Sequence, residues 1–167
     1  DDALLYCHTD PTGLYGEPLD DVMKLTGVDP KRVIFPNLYH YSMGMLNPAY
    51  LNTAYNAADV FLHASHGGGF ELPLVEAQAA GCPVVCTAKT AMTELIFGGY
   101  PVLRTTPFMY SPGALQFLPD IGELRDGLAW FHTQWAREDE RARSVATERA
   151  VASEPSCSHM TPSWAPT

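Results

Sequence analysis

The middle of the sequence constrains the fold most, because two short apolar segments there flank a helix with clear ends. The first predicted strand is Val60–Ala64 and the second is Pro83–Thr87. Between them, Leu72–Ala80 is predicted to be helical, since Pro73 stands in its first turn and Gly81 follows its end. Strands that are apolar on both faces and alternate with helices are typical of a parallel sheet covered on both sides.

The same alternation extends toward both ends of the chain. Further strands are predicted at Ala3–Cys7, Val33–Phe35 and Pro101–Arg104, and further helices at 18–26, Tyr50–Ala58, Ala91–Phe97 and Ile121–Trp135. The first strand is expected to be buried, and residues 38–48 and 107–119 are expected to be irregular. The predicted fold class is α/β, a doubly wound parallel sheet of about five or six strands.

The length of 167 residues suits one main domain. We predict a Rossmann-like domain over residues 1–135 and a peripheral region over 136–167. Residues 137–149 alternate in charge and predict a solvated helix, whereas residues 153–167 are rich in Ser, Pro and Thr and predict a loosely held tail.

Composition argues against two classes of partner. The chain has ten Lys and Arg residues and nineteen Asp and Glu residues, which gives a net charge of -9. Nucleic acids and anionic membranes are bound by clustered basic residues, so we expect neither partner. No apolar stretch approaches the roughly 18 residues that span a bilayer, and the start lacks a basic flank. We therefore expect no membrane insertion and a cytoplasmic location, with Cys7, Cys82, Cys86 and Cys157 as reduced structural thiols.

The glycine-rich turn Ser65–Glu71 is the candidate ligand site, because ligands of parallel sheets bind beyond the carboxyl ends of strands. A helix N-terminus offers unpaired N–H groups and partial positive charge, which favour phosphate. The Gly-Lys-Ser/Thr ending of a nucleotide-triphosphate loop and the GxGxxG fingerprint are both absent. The alternative is that Gly67–Gly69 only makes a tight turn.

Further polar and basic residues are candidates for contacts with a ligand. Glu76 lies in an otherwise apolar helix, where it either binds a ribose diol or sits exposed on the outer face. His40, His63 and His66 do not complete a tetrahedral set with other ligands, so no metal is expected. His66 is either a phosphate or sugar contact or a polar loop residue, and Lys89 is the nearest candidate cation for a phosphate.

Three ordered blocks carry a resemblance to a known family: Tyr55–Phe61, Ser65–Ala77 and Gly81–Val85. They resemble the donor-binding half of the retaining glycosyltransferases with the GT-B fold, the "glycosyl transferases group one" relatives, and the likeness extends loosely from Leu4 to about Leu128. The resemblance implies transfer of a hexose from a nucleoside diphosphate sugar to an acceptor hydroxyl with retention, without a metal or other cofactor.

The resemblance also assigns residues. The family carries two glutamates around a Gly-Phe-Gly turn; the second is similar to Glu76, which is then expected to hold the ribose. The first glutamate falls on Gly68 and the second glycine falls on Glu71, so this chain departs from the pattern twice near the sugar. Glu71 either supplies the catalytic carboxylate from a new position or narrows the pocket. The implied donor-binding residues are His66, Gly67, Gly68, Gly69, Phe70, Leu72 and Glu76.

Two parts of such enzymes are expected to lie before Asp1: an Arg and Lys that neutralise the diphosphate, and an amino-terminal acceptor domain. Residues 33–88 contain no Lys or Arg. We therefore expect a carboxy-terminal fragment or a naturally reduced relative that binds nucleotide weakly. The alternatives from other classes are a catalytically silent scaffold domain and a sugar-nucleotide epimerase on the same fold.

Overall fold

The computed structural model describes residues 3–13, 17–110 and 113–137. They belong to two compact units that divide between Leu51 and Asn52. The predicted charged segment beyond residue 137 and the predicted tail lie outside the described residues. Within the described ranges, no helix has both the length and the apolar character needed to cross a membrane.

The first unit is built around two short parallel strands. Its elements are β1 (Leu5–Tyr6), α1 (Leu19–Thr26), β2 (Val33–Ile34), α2 (Leu38–Ser42) and the start of α3 (Pro48–Ala57). Helix α1 ends as predicted, since Gly27 adopts the left-handed conformation with φ of 71°. The prediction of a buried first strand is wrong: Leu5 is half exposed, because a two-stranded sheet gives β1 only one neighbour.

The second unit contains the sheet that the sequence predicts most clearly. Its elements are β3 (Phe61–His63), α4 (Leu72–Ala79), β4 (Val84–Thr87), α5 (Met92–Leu95), β5 (Gly99–Val102), β6 (Thr105–Tyr110), β7 (Ala114–Pro119) and α6 (Ile121–Arg137). Strands β3, β4 and β5 pair in parallel in that order. The α/β class with parallel strands is therefore confirmed.

Strand β4 is buried on both faces. Val84 and Cys86 pack with Leu74 and Met92 of the helices α4 and α5. The intervening Val85 packs on the opposite face, in a cluster that includes Phe131 of α6. This burial explains why the strand is a continuous apolar run, since neither face of its pleat reaches water.

Two segments predicted to be irregular contain regular structure. Strands β6 and β7 form an antiparallel hairpin whose register runs from Thr105 opposite Pro119 to Tyr110 opposite Ala114. Pro107 obscures the strand in the sequence, but a two-stranded ribbon has an outer edge that tolerates a missing N–H. Helix α2 is also missed, because its single short turn has no apolar period; the Asn37 side chain caps it.

The cysteines of the described residues are free thiols, as predicted for a reduced protein. Cys82 and Cys86 are buried and Cys7 is half-buried. Burial raises the pKa of Cys82 to about 11 and that of Cys86 to about 12. These two thiols therefore stay protonated at neutral pH, as expected for packing residues.

Gln78 joins three elements through a fully satisfied buried amide. Its Nε2 donates to the carbonyl oxygens of Leu74 and Leu95 at 2.8 Å each. Its Oε1 accepts from the backbone N–H groups of Phe97 at 2.7 Å and Gly98 at 3.1 Å. The amide therefore fixes the connection from α5 to β5 against helix α4.

Substitution of this amide tests its contribution to stability. Gln78→Ala should lower the free energy of unfolding by about 1–3 kcal/mol, because the N–H groups of Phe97 and Gly98 and the carbonyl of Leu95 would lose their partner. Urea denaturation followed by circular dichroism measures the change. Gln134→Ala on α6 is the matched control and should stay within about 0.5 kcal/mol of the parent; equal effects for the two variants would contradict the assigned role.

Candidate active site

The glycine-rich turn and the loop after β4 lie at the same edge of the sheet. Strands β3 and β4 are parallel neighbours, with His63 opposite Cys86 at the carboxyl end of β3. The chain that leaves β3 makes the turn and enters α4, and the chain that leaves β4 carries Lys89 and Thr90. Parallel pairing thus brings together two loops that are distant in the sequence.

The three positions of the turn differ in whether the structure requires a glycine there. Gly67 has a φ of 153°, and a Cβ there would meet Thr90 Cγ2 at 3.3 Å. At Gly68 a Cβ would overlap the carboxylate of Glu71, whereas at Gly69 it would meet nothing within 4 Å. The tight-turn explanation therefore accounts for Gly67 but not for all three.

Backbone hydrogen bonds leave part of the turn open to an acceptor. The N–H of Gly67 donates to Ser65 Oγ at 3.3 Å, and that of Gly68 donates to Thr90 Oγ1 at 3.2 Å. In the part of the chain that the structure describes, the N–H groups of Gly69, Phe70 and Leu72 have no acceptor. These donors precede or begin helix α4, where the helix dipole favours an anion.

Thr90 is the site residue that sequence reasoning missed. It is a β-branched residue with a φ of 56°, a conformation that costs on the order of 1–3 kcal/mol. Its Oγ1 accepts from Gly68 and also lies 2.6 Å from the carbonyl of Lys89, to which it donates. No sequence signal reveals this role, because it depends on the backbone path of two separate loops.

The Glu71 side chain turns away from solvent toward His63. Glu71 Oε2 lies 3.2 Å from His63 Nε2, and the two side chains are only 18% and 14% exposed. The two atoms make a close polar contact, but no aligned hydrogen bond joins them. Burial lowers the pKa of His63, and the nearby carboxylate partly opposes that effect.

Glu76 lies on the exposed face of α4 and has one hydroxyl partner in the protein. Tyr55 Oη donates to Glu76 Oε2 at 3.3 Å. Burial, followed by the charge of Glu76, raises the pKa of Tyr55 to about 12, so the phenol remains a donor at neutral pH. The carboxylate is thus both solvent-accessible and partly oriented.

The β6–β7 hairpin supports the turn from the side. The carbonyl of His66 accepts a hydrogen bond from the Phe117 N–H at 2.8 Å. The exposed imidazole ring of His66 contacts the Phe108 ring edge-on, with 5.4 Å between the ring centroids. Lys89 Nζ lies 5.9 Å from the centroid of the Phe117 ring. The hairpin therefore holds two candidate phosphate contacts at the sheet edge, although the sequence prediction for its segment was wrong.

The histidines weighed for a metal are not gathered into one cluster. His40 belongs to the first unit, whereas His63 and His66 belong to the second. Over residues 3–13, 17–110 and 113–137, no group of three His, Cys, Asp or Glu side chains is placed to hold a metal ion.

Comparison with known proteins decides the family. A model of the family described as glycosyl transferases group 1 matches residues 16–116, which is more than half of the chain. The chain belongs to this family. The match confirms the resemblance predicted from the sequence and includes the glycine turn, helix α4 and the loop after β4. No curated protein is similar enough to count as a match.

Paired alanine substitutions test the turn of this glycosyltransferase domain. Gly67→Ala should destabilise the domain by about 1–3 kcal/mol, since Ala does not readily adopt a φ of 153° and would crowd Thr90. Gly69→Ala, in open space, should change the free energy of unfolding by less than about 0.5 kcal/mol. Urea denaturation distinguishes them, and a larger loss at Gly69 would refute the described geometry.

Proposed function

We propose that this glycosyltransferase domain binds a nucleoside diphosphate sugar at the start of α4 and serves retaining transfer of a hexose to an acceptor hydroxyl. The main support for this proposal comes from the N–H groups of Gly69, Phe70 and Leu72, which have no acceptor within the described residues. Helix N-termini beside glycine turns bind phosphate through such donors.

The diphosphate would be held mainly by backbone. A helix terminus contributes about 0.3–1 kcal/mol per exposed charge and up to about 2 kcal/mol when partly buried. Lys89 is the first basic residue after a stretch, residues 33–88, that has none, and it reaches the same sheet edge. His66 adds a second side chain at the turn. With so few cations, the proposal predicts weak binding of the nucleotide by this chain.

The ribose would be held by Glu76. Its carboxylate can accept from both hydroxyls of a ribose diol, and Tyr55 orients one oxygen from behind. Glu76 is four residues beyond Leu72, which places it about 6 Å further along the helix axis. A nucleoside diphosphate is long enough to reach from this carboxylate to the unpaired N–H groups.

The sugar would lie near Gly68 and Glu71. A negative carboxylate at this place stabilises positive charge that develops at the anomeric carbon during transfer. In this proposal Glu71 supplies that carboxylate, and Gly67, Phe70 and Leu72 form the surrounding wall. The acceptor is bound by a separate amino-terminal half of the kind the resemblance implies, and the reaction uses no metal or other cofactor.

Titration with nucleotides tests the proposal. The chain is titrated by calorimetry or NMR with UDP, GDP, ADP, CDP, dTDP and their sugars, and one base should bind saturably. Glu76→Gln should weaken that binding by about tenfold or more, since hydrogen bonds to a charged group contribute about 1.5–3 kcal/mol. Glu94→Gln, an exposed change on α5, is the matched control and should bind like the parent.

A scaffold role is the competing function. Phe70 and Leu72 are 61% and 60% exposed and place two adjacent apolar side chains beside the turn. Absence of saturable binding of any nucleotide at millimolar concentration would overturn the donor-binding proposal and favour a partner-binding surface there. Equal binding by the parent and Glu76→Gln would remove the proposed role of Glu76.

A further inference from the structure

We infer that His63 is a positioning residue that holds the Glu71 carboxylate over Gly68, so that residue 71 supplies the negative charge that the resemblance leads us to expect from position 68. The inference rests on the proposed function for its use, because the carboxylate matters only if a sugar is bound beside it. Its structural part stands on the contacts among these three residues.

The side chain of Glu71 does not adopt the conformation expected of a residue at a helix N-cap. Glu71 stands at the N-cap position of α4, yet its side chain makes no capping hydrogen bond. An acidic residue in that place ordinarily accepts from N–H groups of the first helical turn. Instead the side chain folds back along the turn until its carboxylate lies over Gly68. Something other than capping must therefore hold it there.

The Glu71 carboxylate fills the space beside the backbone of Gly68. A Cβ at this position would overlap Oε1 of Glu71, so the carboxylate occupies the volume in which a side chain of residue 68 would begin. The two departures from the expected pattern are thus complementary in space: Glu71 can adopt this conformation only when residue 68 has no side chain. Gly69, one residue further, has open space and carries no such requirement.

His63 provides the restraint. It lies on the face of the sheet that α4 covers, because its register partner Cys86 packs in the α4 cluster. The His63 ring stacks on Phe61 with centroids 5.6 Å apart, which limits its movement. Its Nε2 approaches Glu71 Oε2 at 3.2 Å in a largely buried setting. The imidazole is therefore the polar group placed to hold the carboxylate.

The electrostatics are consistent with a neutral donor. The titratable groups that face His63 from the neighbouring elements are Glu71 at the start of α4 and Cys86 on β4. Burial raises the pKa of Cys86 to about 12, so the thiol is uncharged. Burial also lowers the pKa of His63 from 6.5, so the imidazole is neutral at pH 7 and carries one N–H group.

NMR titration of His63 tests the structural part without any ligand. The pKa of His63 should fall further in Glu71→Gln, because the opposing carboxylate charge is lost, and also in Gly68→Ala, which pushes the carboxylate away. Gly69→Ala should leave that pKa at the parent value. His63→Gln identifies the signal among the histidines. An unchanged pKa in Glu71→Gln would overturn the inference.

Binding of a sugar nucleotide against the bare nucleotide tests the functional part. His63→Leu should weaken binding of the sugar nucleotide by about tenfold while leaving affinity for the bare nucleotide unchanged, and His63→Gln, which retains an N–H donor, should restore most of it. In the double variant Gly68→Glu with Glu71→Gly, the affinity for the sugar nucleotide should no longer change when His63→Leu is added. Equal weakening for both ligands would indicate general loss of structure and overturn the positioning role.

The two proposals fail in different ways. If the pKa of His63 responds to Glu71→Gln but no nucleotide binds, the pairing is supported and the proposed function is overturned. If a nucleotide sugar binds and His63→Leu has no effect on it, the proposed function is supported and the positioning role is overturned.

Discussion

Burial of β4 on both faces is the constraint on which the second unit depends. Because Val84 and Cys86 face the helices α4 and α5 while Val85 faces α6, the strand can only sit in the middle of a covered sheet. Parallel pairing with β3 then follows, since the two strands are joined through a helix. That pairing brings the loops after β3 and β4 to one edge, and the candidate site is a consequence of it.

Strain and support at this edge come from residues with no obvious chemistry. Thr90 is held in a conformation that β-branched residues avoid, and in return it anchors the N–H of Gly68. The hairpin fixes His66 through the backbone of Phe117. Both contacts restrain the glycine turn, and the next N–H groups, those of Gly69, Phe70 and Leu72, have no acceptor within the described residues. In the proposed function, a turn restrained in this way loses little entropy when an anion binds.

The contact between Gly68 and Glu71 links the two positions at which this chain departs from the pattern that the resemblance implies. In the proposed function, a glutamate three residues along the turn brings its carboxylate back beside the backbone of residue 68, because no side chain there blocks its path. Gly68 has no side chain that would block this conformation, and the largely buried ring of His63 limits the movement of the Glu71 side chain. Considered separately, each substitution looks like the loss of a site residue.

The sequence by itself determined the parallel α/β core, the ends of α4, the glycine turn and the family, because apolar runs, Pro and Gly at helix ends, and motif spacing are local signals. Tertiary structure decided the rest. The β6–β7 hairpin depends on cross-strand pairing that Pro107 obscures, and Thr90 and His63 act across loops that only the sheet brings together. Those contacts leave no period or motif in the sequence, since each is set by the distance between backbones and not by the order of residues.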